Sequence, residues 1–504
     1  MFDVFIGDDY MKKIGFDNEK YLIMQSEKIM NRRKQFGGKL YLEFGGKLFD
    51  DFHASRVLPG FEPDSKLRML TQLKDQAEIV FAINAGDIEK NKVRADTGIT
   101  YDLEILRLID VFRSYGFCVG SVVLTQFAGQ PSAVGFSKKL DSMGIKNYKH
   151  YKIDGYPSKV SYIVSDEGFG KNDYVETERP IVVVTAPGPG SGKMAVCLSQ
   201  LYHEHKRGIS AGYAKYETFP IWNLPLNHPV NLAYEAATAD LNDINMIDPY
   251  HFEAYNVQTV NYNRDVEIFP VLKAIFTQIL GESPYKSPTD MGVNMLGYCI
   301  TDEESVRESA KNEIIRRYYA AMCKKRKGRS NDDEISKIEV LMEKAEIAPE
   351  DRKVVVAAKE KCEVSGVTAC AIEIGENAII TGKNSSLLGA ASAMLLNAMK
   401  YLAGIQDDIL LISPVIIEPI QKLKTEHFGS DNPRLSVSEV LMALSICAAT
   451  NPMAQHALNQ ISKLKGCEMH STAILSSDDE STIKKLGINL TTEAEYESAK
   501  LFHT

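Results

Sequence analysis

No uninterrupted apolar run in this chain reaches the length of a membrane span, and its first residues hold Asp3, Asp8 and Asp9 where a secretory leader would have a basic patch before an apolar core. A cytoplasmic protein with no membrane partner is expected. Basic charge is also scarce: Lys and Arg total 58 against 67 Asp and Glu, a net charge of -9, so the chain lacks the diffuse positive surface of non-specific nucleic-acid binders. One basic run, Lys324-Lys-Arg-Lys-Gly-Arg329, is followed at once by Asp332-Asp-Glu334 and reads as a solvated linker. The 8 cysteines are scattered, with no C-x-x-C pair and no zinc-ligand spacing, which leaves them as buried thiols. No G-x-S-x-G elbow, internal repeat or low-complexity tract is present.

What remains is ordinary in bulk and specific in places. A chain of 504 residues that is 44% hydrophobic and 25% charged has room for several packed domains. Its most specific stretch is Ile181-Val-Val-Val-Thr-Ala-Pro-Gly-Pro-Gly-Ser-Gly-Lys-Met194, a β-branched run, a Gly/Pro loop ending in Gly-Lys, then an amphipathic segment. Glycines let a backbone curl until successive N–H groups converge, the following helix directs its positive end there, and a lysine adds a mobile charge. The candidate phosphate-binding residues are Gly188, Gly190, Ser191, Gly192, Lys193 and Met194. Two departures separate this P-loop-like turn from G-x-x-x-x-G-K-[ST]: Pro187 stands where glycine is required, and Met194 replaces the hydroxyl that ligates Mg²⁺. Pro189 removes a further donor, and Ser191 is a candidate to replace the missing hydroxyl. The competing reading is a plain strand-to-helix turn with an exposed lysine.

Downstream, Asp240-Leu-Asn-Asp243 and Asp248-Pro-Tyr-His251 gather carboxylates and an imidazole. Asp240, Asp243 and His251 are the candidate catalytic groups, and Asp243 with Asp248 are candidate ligands for Mg²⁺ or Mn²⁺ beside a bound phosphate. Turn and cap chemistry is the alternative. Glu43 with Lys47, and Asp87 with Lys92 and Arg94, occupy neighbouring strand ends, where ordinary loop polarity is the favoured reading. His203 and His205 diverge on a helix and are expected at the surface. Thr381-Gly-Lys-Asn-Ser-Ser386 also sets a Gly-Lys at a strand-to-helix junction, where capping by Asn384 or Ser385 is favoured.

The expected fold class is α/β. Strands at 40–44, 78–84, 118–125 and 181–185 alternate with amphipathic segments at 101–113 and 132–143, as in a doubly wound parallel sheet. A helix at 194–207 follows the loop, and 209–300 is irregular apart from helices at 230–241 and 266–280. Thr301-Asp-Glu-Glu304 opens a long charged helix as a capping box, and 335–344 and 352–362 complete a helical layer. Strands at 368–374 and 378–381 around Gly375-Glu-Asn377, helices at 386–403 and 436–449, and a strand at 468–475 form a second α/β unit. The domains expected are 11–230, a phosphate-binding α/β domain; 231–345, irregular and helical; and 346–504, a C-terminal α/β domain. The largely uncharged helices 386–403 and 436–449 point to a homo-oligomer formed through that last domain.

At Pro187-Gly-Pro-Gly-Ser-Gly-Lys-Met-Ala195, Ala233-Tyr-Glu-Ala-Ala-Thr-Ala-Asp-Leu-Asn-Asp243 and Ile379-Ile-Thr-Gly-Lys383 the chain resembles a bacterial family catalogued as a domain of unknown function. The resemblance implies a multidomain α/β protein with a C-terminal unit of deaminase-like topology. The H-x-E and P-C-x-x-C zinc signature is missing, so no deaminase chemistry is carried over. Met11-Lys-Lys-Ile-Gly-Phe-Asp17 resembles the family's usual start, leaving Met1 to Tyr10 as an extension. The functional expectation is an enzyme that binds a small phosphorylated molecule, ATP or another nucleotide included, with Mg²⁺ as a candidate cofactor; the alternative is a non-catalytic ligand sensor or assembly scaffold.

Overall fold

A computed structural model describes residues 14–46, 48–49, 51–94, 98–329, 332–375 and 378–498. The proposed extension Met1 to Tyr10, Lys47, and the turn residues Glu376 and Asn377 lie outside them. The chain divides into two compact units. One comprises Ile14–Glu235 and Asn242–Ser309; the other contains Ala236–Leu241 and the described residues from Ala310 onward. The residues 231–345 are shared between the two units.

The first unit is built on a six-stranded sheet, all parallel, of β1 (Lys39–Phe44), β2 (Ala77–Asn84), β3 (Cys118–Phe127), β4 (Lys146–Tyr151), β5 (Ile181–Thr185) and β6 (Ala211–Tyr216), in the order β4-β3-β2-β5-β1-β6. β5 is Ile-Val-Val-Val-Thr and buried throughout, as a strand covered on both faces must be. Helices Lys193–Lys206 and Asn263–Leu280 pack on one face through Val196, Leu198, Leu201, Leu272 and Phe276, against Tyr41, Val182 and Val184. The edge strands β4 and β6 are absent from the sequence expectation. β4 is Lys-Asn-Tyr-Lys-His-Tyr, pairs on one side only and is mostly half-buried, so it carries little apolar signal; β6 is Ala-Gly-Tyr-Ala-Lys-Tyr, with no β-branched residue. β7 (Asn245–Ile247) and β8 (Val260–Tyr262) form a separate antiparallel pair within the irregular stretch.

Strand order fixes where a ligand can sit. The chain leaves β2 for β3 on one side and leaves β5 for β6 on the other, so connections diverge at the β2/β5 boundary. Such a switch point opens a crevice beyond the carboxyl ends of the two strands.

The second unit has a mixed sheet in the order β10-β9-β11-β12, formed by β9 (Ala369–Ile374), β10 (Ala378–Lys383), β11 (Glu468–Ser471) and β12 (Asn489–Thr492). β9 is antiparallel to both neighbours, and β11 is parallel to β12. Helix Ala390–Leu402 buries Met394, Leu395, Ala398 and Met399 in this unit's own core. It approaches β10 so closely that a side chain at Gly382 would overlap the backbone of Met394. The N-cap position is Gly389 and not Asn384 or Ser385, although Asn384 Oδ1 accepts from the Ala390 amide at 2.7 Å from six residues upstream.

Two local expectations change. Asp302, not Thr301, caps the charged helix, its Oδ1 accepting from the Glu304 and Ser305 amides at 3.0 and 3.2 Å. That helix, Glu303–Arg326, runs through Lys324, Lys325 and Arg326, placing the cations at its negative end instead of in a linker.

Candidate functional site

The turn after β5 lies at the switch point. Gly190 and Gly192 adopt left-handed backbone, φ +74° and +84°, which curls the chain into the N-terminus of helix Lys193–Lys206. The first amide of that helix to be engaged is Val196, donating to Gly192 O at 3.0 Å. Among the described residues, none of the amides from Gly190 to Ala195 donates to the backbone, so a row of donors is left at the positive end of the helix. Lys193 is half-buried and makes no ion pair or hydrogen bond among the described residues.

Neighbouring strand ends hold this conformation. Thr125, at the end of β3, donates to Ser191 O at 2.7 Å, and Asn84, at the end of β2, donates to Gly190 O at 3.4 Å. A side chain at Gly188 would overlap the Tyr101 phenol, and one at Gly192 would meet Thr125 Oγ1 at 3.1 Å. The Ser191 hydroxyl is fully buried and donates to Gly188 O at 2.6 Å. It therefore closes the turn and does not replace the missing Walker hydroxyl.

Beside the turn, β1 and β6 carry a charged group. Glu43 is buried and accepts from Tyr213 Oη at 2.6 Å. Lys215 is bonded to Asp265 and lies 3.1 Å from Glu217. Burial opposes the Lys215 charge, but Asp265, Glu217 and Glu43 outweigh it and raise its pKa. Glu217 is pushed up to about 7, first by burial, against the pull of Lys215 and with the help of Asp265 and Glu43. Cys197, one turn into the loop helix, connects the two halves: burial and then Glu43 raise its thiol, while Lys193 draws it down. Sequence pattern assigns Glu43 to loop polarity and gives no signal for Lys215 and Glu217, because β6 lacks the β-branched residues that mark a strand; Asp265 lies in the first turn of helix Asn263–Leu280, ahead of the helix expected from residue 266.

The expected catalytic and metal-ligating carboxylates have other occupations. Asp240 is exposed on the one-turn helix Ala239–Leu241, which groups with the second unit. Asp243 pairs with Arg264 at 2.6 Å. Asp248 is fully buried and caps helix Pro249–Tyr255 by accepting from the His251 amide at 3.0 Å; its other oxygen accepts from the Thr289 amide and hydroxyl at 3.2 and 2.7 Å. His251 Nδ1 meets Ser287 Oγ at 2.8 Å. Among the described residues no three His, Cys, Asp or Glu side chains are grouped as a metal ion needs. Both oxygens of Asp248 are engaged in capping and in bonds to Thr289, while Asp243 pairs with Arg264 through Oδ2 alone. Asp87 pairs with Lys92 at 3.3 Å, and Arg94 turns to the buried Glu104. His203, expected at the surface, is buried with Nε2 2.9 Å from Asn172 O, and burial lowers its pKa; His205 is exposed.

The pattern described as "Domain of unknown function DUF1846, N-terminal" matches residues 14–346, and its C-terminal counterpart matches residues 350–502. The chain belongs to this family. The DUF1846 division near residue 346 falls close to the expected domain boundary at 345, whereas the compact units divide within helix Glu303–Arg326. Similar DUF1846 chains include a UPF0371 protein of Streptococcus thermophilus (strain CNRZ 1066), 56% identical over 98% of this chain and 100% of its own length. A UPF0371 protein of Streptococcus pneumoniae (strain JJA) is 55% identical over the same shares. Among the described residues no helix is long and apolar enough to cross a membrane.

Proposed function

We propose that this DUF1846 protein binds the phosphate of a small phosphorylated metabolite, ATP or another nucleotide among the candidates, at residues 188–194, and acts on it. The observation that carries this reading is the row of unengaged amides from Gly190 to Ala195, with Lys193 beside them, at the point where the sheet's connections diverge. Lys193 neutralises the phosphate, and the amides fix its orientation. Mg²⁺ is expected to arrive on the nucleotide phosphates, because Asp248 is committed to capping and Asp243 holds Arg264 through Oδ2. The free thiols of the described cysteines fit a cytoplasmic setting.

Titration calorimetry with ATP, GTP and pyrophosphate, with and without Mg²⁺, tests the binding. Saturable heat from at least one of them that is lost in Lys193→Ala supports it, and no binding by the wild type overturns it. A second reading, a ligand sensor without turnover, is favoured by the closed Ser191 hydroxyl and the absence of a hydroxyl at Met194. Recovery of intact nucleotide after prolonged incubation selects the sensor, and appearance of product selects the enzyme.

A further inference from the structure

The edge of the sheet at β6 carries a cavity of its own, of about 50 Å³, whose walls include Lys215, Glu217, Asn261, Asp265 and Thr289. At ~30 Å³ per water, it accepts the end of a hydroxylated carbon chain and not a whole sugar ring. Its charge is unbalanced. Glu43, Glu217 and Asp265 surround the single ammonium of Lys215. Asp243 lies within electrostatic reach of Asp265 and Lys215; it is 4% exposed, and while Oδ2 pairs with Arg264, Oδ1 is buried with no hydrogen-bond partner. In the cavity wall itself two carboxylates, Glu217 and Asp265, face the one ammonium of Lys215, so acceptors are in excess and the complementary ligand group is a donor.

Like the phosphate turn, Glu217 follows the carboxyl end of a strand of the parallel sheet. β1 separates β5 from β6, so the two sites stand two strand spacings apart, ~10 Å. Nothing projects from β1 between them at Gly45, where a side chain would lie 2.6 Å from Glu217 Cγ and 3.0 Å from its Oε1. Glu43 and Lys193 both act on the Cys197 thiol, which places the turn's lysine and the carboxylate group around one buried position.

Resting on the phosphate-binding reading above, we infer that the ligand is a sugar phosphate or polyol phosphate, its phosphate on residues 188–194 and its far hydroxyl group donated to Glu217. Glu217 is then a specificity-determining residue. A hydroxyl bonded to the carboxylate favours the ionised form of Glu217, whose pKa near 7 leaves it available in both forms around neutrality.

The test is phosphorus-31 NMR titration of the full chain with inorganic phosphate, ribose 5-phosphate and glucose 6-phosphate, on wild type, Glu217→Ala and Lys193→Ala, with melting temperatures to verify folding. A charge-assisted hydrogen bond is worth about tenfold or more in affinity, so the wild type should bind one of the sugar phosphates at least about tenfold more tightly than inorganic phosphate. Glu217→Ala should abolish that preference and leave inorganic phosphate binding unchanged; Lys193→Ala should weaken all three. Inorganic phosphate bound without preference for either sugar phosphate, or a preference that survives Glu217→Ala, overturns the inference and leaves the phosphate turn standing. A wild type that binds none of the three overturns both. Glu217→Gln is the control against misfolding: retention of part of the preference by its amide oxygen supports recognition by hydrogen bonding, and its complete retention contradicts a role for the charge.

Discussion

Thr125 Oγ1 donates to the carbonyl of Ser191 at 2.7 Å, joining the end of β3 to the crest of the turn that follows β5. By turning that carbonyl toward β3, the bond helps to leave the amides of the turn facing the crevice. Thr125→Val keeps the shape and removes the donor. The expected result is a loss of about 1 kcal/mol in stability and a fall of severalfold in phosphate affinity, measured by urea unfolding and calorimetry.

The glycines of the turn should separate by position. Alanine at Gly188 collides with the Tyr101 phenol, whereas alanine at Gly190 meets open space and costs only its left-handed backbone, about 1 kcal/mol. Gly188→Ala is therefore expected to abolish phosphate binding, and combining it with Tyr101→Ala should restore part of it. Equal damage from Gly188→Ala and Gly190→Ala would contradict the steric account.

How much of this was legible in sequence depended on the kind of signal. β5 and its turn stand out because a β-branched run and a Gly-rich loop are local chemistry. The β3 strand was legible too, but its Thr125 contact was not, since the register between strands is set by the whole sheet. The carboxylates of Asp243 and Asp248 read as ligands because Asp in an Asp/Asn-rich stretch is equally at home in a metal site and in a turn or helix cap; their contacts with Arg264 and Thr289 depend on chain brought close only by folding. Glu217 was hidden because β6 contributes an edge of small and aromatic residues with no β-branched pattern.

Glu217 makes stability depend on pH with a definite sign. Its folded pKa, about 7, exceeds the 4.5 of an ordinary glutamate in an unfolded chain, so the native state holds the extra proton between them. Stability from this group is complete below the lower value and is lost as pH rises toward 7. Glu217→Gln cannot lose it. Melting temperatures of the two proteins should converge in acid and diverge by about pH 8 with the variant higher; a less stable variant there would mean that the Lys215 pairing outweighs burial.

In the second unit Arg352 is buried, with Nη2 2.7 Å from Glu468 and 2.8 Å from Asn489 O, and Nη1 3.2 Å from Met469 O. Arg352→Met strips these acceptors of a donor and should cost about 3 kcal/mol. The chain's single tryptophan, Trp222, belongs to the other unit and its fluorescence does not report on this one, so hydrogen exchange at the amides of β11 and β12 is the appropriate measurement. Exchange unchanged from wild type would show that Arg316, also 2.7 Å from Glu468, suffices alone.

The expectation of a homo-oligomer now rests on one helix. Helix Ala390–Leu402 is used by its own core, while Met442 and Ile446, one turn apart on helix Val437–Ala448, are 66% and 69% exposed. Light scattering should find an oligomer at about 10 μM that Met442→Lys with Ile446→Lys converts to monomer. A monomeric wild type contradicts the expectation.

The central claim concerns one place in the fold, and tungstate, a heavy analogue of phosphate, can mark it. Crystals soaked in tungstate should show an anomalous peak within hydrogen-bonding distance of amides between Gly190 and Met194 and close to Lys193 Nζ, and Lys193→Ala should weaken it. Tungstate bound only elsewhere, with this turn accessible to solvent in the crystal, would contradict the account.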